Sequence, residues 1–112
     1  MIKLGKNKKE LWEDLFVVWR HPATGTWWLT PVTNHHASAD PSAPKRVTQN
    51  ELTSGILREG AIHAGSKQEA LLRYVASGRG GDVWSVSFVG YVRDDVKAAG
   101  VDTRFWLEKE VI

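Results

Sequence analysis

Two adjacent tryptophans, Trp27 and Trp28, constrain this chain more than any other feature. They stand within residues 15–36, LFVVWRHPATGTWWLTPVTNHH, a stretch that reads as a β-hairpin. Phe16-Val17-Val18-Trp19 sets β-branched and aromatic side chains in succession, which suits a pleated, half-buried surface. Pro22-Ala23-Thr24-Gly25 follows, with proline fixing φ early in the turn and glycine supplying a positive φ late. Thr26 to Thr30 resumes the strand, and Pro31 limits how far it can lie inside a sheet. Alternation places Val17 and Trp19 on one face and Phe16, Val18 and Arg20 on the other. On the return strand Trp27 and Leu29 oppose Trp28 and Thr30. Successive side chains of a strand point to opposite faces, so Trp27 and Trp28 cannot enter the same core. One of them needs a second cover: a helix, a partner chain or water.

The remaining chain supplies helices and further strands. Asn7-Lys8-Lys9-Glu10 has the form of a capping box, and Leu11, Trp12 and Leu15 follow at helical spacing, which predicts a short helix over residues 8–14. Residues 37–46, ASADPSAPKR, are small and polar with two prolines and read as an exposed loop. Thr48-Gln49-Asn50-Glu51 is a second capping box, with Val47 placed to staple onto Leu52. The helix it opens buries Leu52 and Ile56 and stops near Gly60. Ser66-Lys67-Gln68-Glu69 opens another, with Ala70, Leu71, Tyr74 and Val75 as its apolar stripe and Gly78 as its stop. Residues 61–65 between them read as a short strand or a connector. In residues 83–92, VWSVSFVGYV, alternation gives a strand with Trp84, Val86 and Phe88 on one face. Asp94 or Asp95 caps a single helical turn that ends at Gly100. Residues 103–112 read as a last strand with Phe105, Leu107 and Val111 inward and Trp106 outward beside Glu108 and Glu110.

Strands and helices therefore come in blocks. That order predicts an α+β domain: a largely antiparallel sheet of about four strands with a helix pair packed on one face. A chain of 112 residues is one domain on size, long enough for a core without staples. It has no cysteine, which excludes disulfides and thiolate metal sites and fits a cytoplasmic location. Residues 1–16 hold no apolar run of the kind a signal peptide needs, and no stretch approaches the length of a membrane span.

The candidates for chemistry are thin. His35 and His36, with Asp40 beyond, have metal-ligating side chains, but neighbours on a strand point apart and one ion would struggle to reach both. Serine, histidine and aspartate are present without a G-x-S-x-G elbow. Asp94 with Asp95 reads as a helix cap, and Glu108 with Glu110 as one exposed strand face. Gly65-Ser66-Lys67 lacks the full phosphate-loop spacing and reads as ordinary capping. Gly78-Arg79-Gly80-Gly81 holds a single RGG, weak as an RNA signal and sufficient as a turn. These readings leave no catalytic residues, cofactor or metal.

What does stand out is six tryptophans against a net charge of only +2. Tryptophan is favoured both in cores and at binding hot spots. The first expectation is a small non-enzymatic module that binds a protein partner, or itself as a homodimer, through an exposed aromatic sheet face. Trp27, Trp28, Trp106 and Arg20 are its contacts. Regulators in bacteria and their phages are often single domains of this size, an analogy and not a derivation. The alternative is nucleic-acid binding by the same face, with Lys6, Lys8, Lys9 and Arg104 as phosphate partners. A small hydrolase is the third and weakest reading.

Overall fold

The computed structural model describes residues 2–4, 11–35, 37, 39–40, 45–79, 81–89 and 104–110. The chain runs β1 (Ile2–Leu4), β2 (Leu11–Arg20), β3 (Trp27–Asn34), β4 (Arg46–Thr48), α1 (Gln49–Gly55), β5 (Ile62–Ala64), α2 (Lys67–Ala76), β6 (Val83–Val89) and β7 (Arg104–Lys109). Six strands lie in the order β4-β7-β6-β2-β3-β5, and β1 pairs with β2 beside that path. The class is α+β. No helix among the described residues is long and apolar enough to cross a membrane.

The hairpin is the centre of the sheet. β2 and β3 pair antiparallel from Glu13↔Asn34 to Arg20↔Trp27. The turn closes with His21 N donating to Thr26 O and Gly25 N to His21 O, each at 2.8 Å. Gly25 sits at φ 71°, as the turn chemistry requires.

Both faces of β2 are apolar, so both need a cover, and each receives one helix. Leu15, Val17 and Trp19 face the α1 side and cluster with Val32, Val47, Leu52 and Leu107. Val18 faces the other way, with Leu29, Ala64, Ala70, Tyr74 and Val83 around α2. Trp28 packs against the first cluster and Trp27 against the second. The expected helix pair on a single face is thus corrected to one helix on each side. The adjacent indoles leave the strand in opposite directions, and neither is exposed.

Strand count and direction also change. The sheet is mixed because β6 runs parallel to β2, pairing Phe16↔Val83 through Val18↔Ser85. The chain leaves β3, passes β4, α1, β5 and α2, and re-enters on the far side of β2. The strands β1 and β4 have three residues each, too short for a periodic signal.

The helix expected over residues 8–14 is replaced, from Leu11 onward, by the start of β2. Leu11 and Leu15 fit a helical spacing, but they also fit a period of two once Glu13 is counted as an inward position. Glu13 is 4% exposed. Its carboxylate receives Lys45 Nζ at 2.7 and 2.8 Å and Asn34 Nδ2 at 3.1 Å. The Lys45 ammonium also lies 5.2 Å from the ring centre of Trp84. A buried charge is tolerated only when paired and hydrogen-bonded in this way.

Both later caps form, the one at Thr48 as a full capping box and the one at Ser66 by its side chain alone. Thr48 Oγ1 accepts from Glu51 N at 3.2 Å, and Glu51 Oε1 accepts from Thr48 N at 2.9 Å. Val47 and Leu52 are buried in one cluster, the staple the spacing predicts. Ser66 Oγ accepts from Glu69 N at 3.1 Å, while the Glu69 carboxylate takes the amide of Gly65 instead of that of the cap. On α2, Ala70 and Tyr74 are buried, whereas Val75, expected in the stripe, is half exposed.

Alternation along β6 holds as far as Val86. The register against β7 then shifts between Val86 and Phe88. The helical turn expected at residues 94–99 lies outside the described residues.

Candidate functional site

The four residues expected to touch a partner do not form one surface. Trp28 lies on the α1 side, its ring 4.6 Å from that of His63, its cross-strand neighbour on β5. Trp27 lies on the α2 side opposite Ala64. Arg20 is exposed beside Trp27 at the base of the hairpin, with Nε donating to Gly25 O at 3.2 Å. These three stand near the turn on β2 and β3.

Trp106 is elsewhere, on β7, paired with Arg46 of β4. The Arg46 guanidinium sits 5.9 Å from the centre of its ring, within cation–π range. Trp106 belongs to neither apolar cluster, although Phe105 and Leu107 on either side of it do join the α1 cluster. By alternation its ring is therefore on the α2 side of the sheet. The helix α2 packs on β2, β3 and β5, so this corner of the face lies beyond its reach. The indole is half-buried, and Ser87 Oγ donates to its backbone carbonyl at 3.2 Å.

Of the residues expected to meet phosphate, Lys6, Lys8 and Lys9 lie outside the described residues. Arg104 opens β7 opposite Thr48. The arginine of the lone RGG is a clamp: Arg79 Nη1 donates to Gly60 O at 2.8 Å, and its guanidinium lies over Phe16 at 5.6 Å and Tyr74 at 6.0 Å.

Among the candidates for chemistry, His35 is exposed and its amide donates to Glu51 Oε2 at 3.3 Å. His36 lies outside the described residues. No group of three metal-ligating side chains occurs among the described residues. Glu110, expected on an exposed face with Glu108, is ion-paired with Lys67, the first residue of α2. That ion pair holds its carboxyl below the ordinary carboxylate range, against the opposing effect of burial, with a smaller contribution from the Ser85 hydroxyl.

A lowered folded pKa means the pair stabilises the protein above the ordinary carboxylate range and loses that effect as pH falls through the lowered value. Lys67→Met is therefore expected to be less stable than the parent near neutrality. The gap should close as pH falls below about 5, through the ordinary carboxylate range and beyond it, when both are unfolded in urea at a series of pH values. A gap of constant size would show that Lys67 acts through packing alone.

Sequence reasoning missed one further feature. Where β2 and β6 part company, a cavity of about 260 Å³ opens through the sheet. Arg20, Trp27, Lys67 and Ser85 contribute to its lining from the α2 side, and Trp19 and Phe105 from the other. Nothing in the periodicity signals it, because it follows from a parallel pairing that a linear reading does not give.

Comparison of the chain with protein-family models, with curated proteins and with solved structures finds no match.

Proposed function

We propose that this chain is a non-enzymatic binding module that engages a protein partner, or a second copy of itself, through the aromatic and cationic corner centred on Trp106 and Arg46. The observation that carries the reading is the position of Trp106, a half-buried indole outside both apolar clusters with a guanidinium beside its ring. Indole and guanidinium side chains are the commonest hot-spot anchors, since each offers a large contact area and a polar group that selects direction. Arg20, exposed on the same side of the sheet at the hairpin end, is a further contact, whereas Trp27 on that side is packed into the α2 cluster. Trp28 lies on the opposite side and is not part of this surface.

The sheet edges favour side-chain contact over strand addition. Each end of the sheet path is a strand of three residues, β4 and β5, which is a short template for an incoming chain.

The test compares two tryptophans that the fold treats differently. Trp27→Ala removes a ring packed into the α2 cluster and is expected to cost about 2 to 3 kcal/mol in urea unfolding. Trp106→Ala is expected to cost about 1 kcal/mol or less, while weakening association at least about tenfold. A large stability loss for Trp106→Ala with association unchanged would make it a core residue and end the proposal.

The second reading, nucleic-acid binding, uses the same ring for stacking, with Lys6, Lys8, Lys9 and Arg104 on phosphates. It predicts an affinity that falls steeply with salt. Absence of oligonucleotide binding at about 50 mM salt would remove it.

A further inference from the structure

We infer that the slot between the diverging carboxyl ends of β2 and β6 binds a small aromatic carboxylate. These strands are parallel neighbours, paired only from Phe16↔Val83 to Val18↔Ser85. Beyond that point β2 follows β3 as far as Arg20, and β6 follows β7 through its register shift. In sheets containing parallel strands, ligand crevices form outside the carboxyl ends where neighbours separate. Here that place holds a cavity of about 260 Å³.

The lining selects the ligand. Trp19, Trp27 and Phe105 contribute aromatic surface, suited to a flat apolar body. The charged groups are Arg20 and Lys67. Lys67 is committed to Glu110. Arg20 pairs with no carboxylate among the described residues, and its bond to Gly25 O uses Nε, leaving the terminal nitrogens of the fork. A carboxylate is the group such a fork receives in two parallel bonds.

Ser85 points the same way. It is 4% exposed, and its Oγ makes no hydrogen bond of regular geometry among the described residues, although it lies near enough to Glu110 to help lower that carboxyl. A buried hydroxyl with unspent capacity beside an apolar slot is a polar contact awaiting a ligand. Trp106 and Arg46, the centre of the proposed partner surface, do not line the slot; Arg20 is the one residue that both readings use.

The probe is phenylacetate, with phenylacetamide as its neutral counterpart, titrated into the whole chain and followed by the indole N–H signals in nuclear magnetic resonance. Phenylacetate is expected to saturate with a Kd of about a millimolar or below, reasonable for a ligand of about ten non-hydrogen atoms. The signals of Trp19 and Trp27 should move and that of Trp106 should not. The amide is expected to bind about tenfold more weakly. Arg20→Gln alters an exposed side chain, and should weaken the acid about tenfold while leaving the amide unchanged. Three results would each overturn the inference: no saturation, equal binding of acid and amide, or shifts centred on Trp106.

Discussion

Glu13→Ala is expected to lower the unfolding free energy by about 3 to 5 kcal/mol, the range for breaking a buried ion pair from one side. The carboxylate is 4% exposed and receives Lys45 through both oxygens and Asn34 through one. Alanine would leave the Lys45 ammonium without its partner, and Asn34, 1% exposed, without that hydrogen bond. Lys45 also fixes the edge of the sheet, since its carbonyl accepts the amide of Leu107 at 2.9 Å. The paired replacement Glu13→Leu with Lys45→Met should recover most of the loss, because an apolar pair of similar volume avoids the desolvation of two charges. Urea unfolding of the single and double variants checks both statements. A loss below about 1 kcal/mol for Glu13→Ala would place the pair among ordinary surface salt bridges.

The second large effect concerns the contact between α1 and β3. A Cβ built on Gly55 would lie 2.5 Å from Pro31 O and 2.9 Å from Thr30 Cβ, closer than atoms can approach. Both neighbours belong to β3 at the centre of the sheet, and Thr30 is fixed by accepting the Trp19 Nε1 hydrogen at 2.9 Å. Neither can move aside cheaply. Gly55→Val is therefore expected to cost about 3 kcal/mol, through overpacking and a β-branched residue in the last turn of a helix. Gly55→Ala should cost less, because better helix propensity offsets part of the clash. Thermal unfolding of the two variants measures the order. A neutral Gly55→Val would mean that α1 is not seated on β3 as described.

Much of this architecture can be read from particular residues. The hairpin follows from the run ending at Trp19, the Pro22–Gly25 turn and the run beginning at Trp27, and each is a local signal. The caps at Thr48 and Ser66 are equally local, a hydroxyl three residues before a carboxylate. Glu13 is where local reading fails. A charged residue at an inward position breaks the period of two, and its partner Lys45 stands 32 residues away. The distribution of the helices fails for a similar reason. That Trp27 and Trp28 need separate covers is legible in the strand, but which element supplies each cover depends on long-range packing. The parallel entry of β6, and with it the slot at Ser85, is a property of the path of the chain and leaves no trace in any window of it.

The same limit applies to the candidate surface. Trp106 can be picked out as an outward residue between Phe105 and Leu107. Its neighbour Arg46 cannot, because β4 is three residues long and sits at the end of a proline-containing loop. Arg20, Trp27 and Trp28 share a hairpin in sequence, but the pleat divides them between two faces.

The central claim is that the Trp106 corner is where this protein meets its partner, and site-specific photo-crosslinking tests it most directly. A photoreactive benzoylphenylalanine is placed at Trp106 in one version of the chain and at Leu72, 62% exposed on α2, in another. Both are irradiated in the native cells. The account predicts a discrete protein adduct, or a dimer of the chain, from position 106 and none from position 72. The same adducts from both positions, or none from position 106, would contradict it.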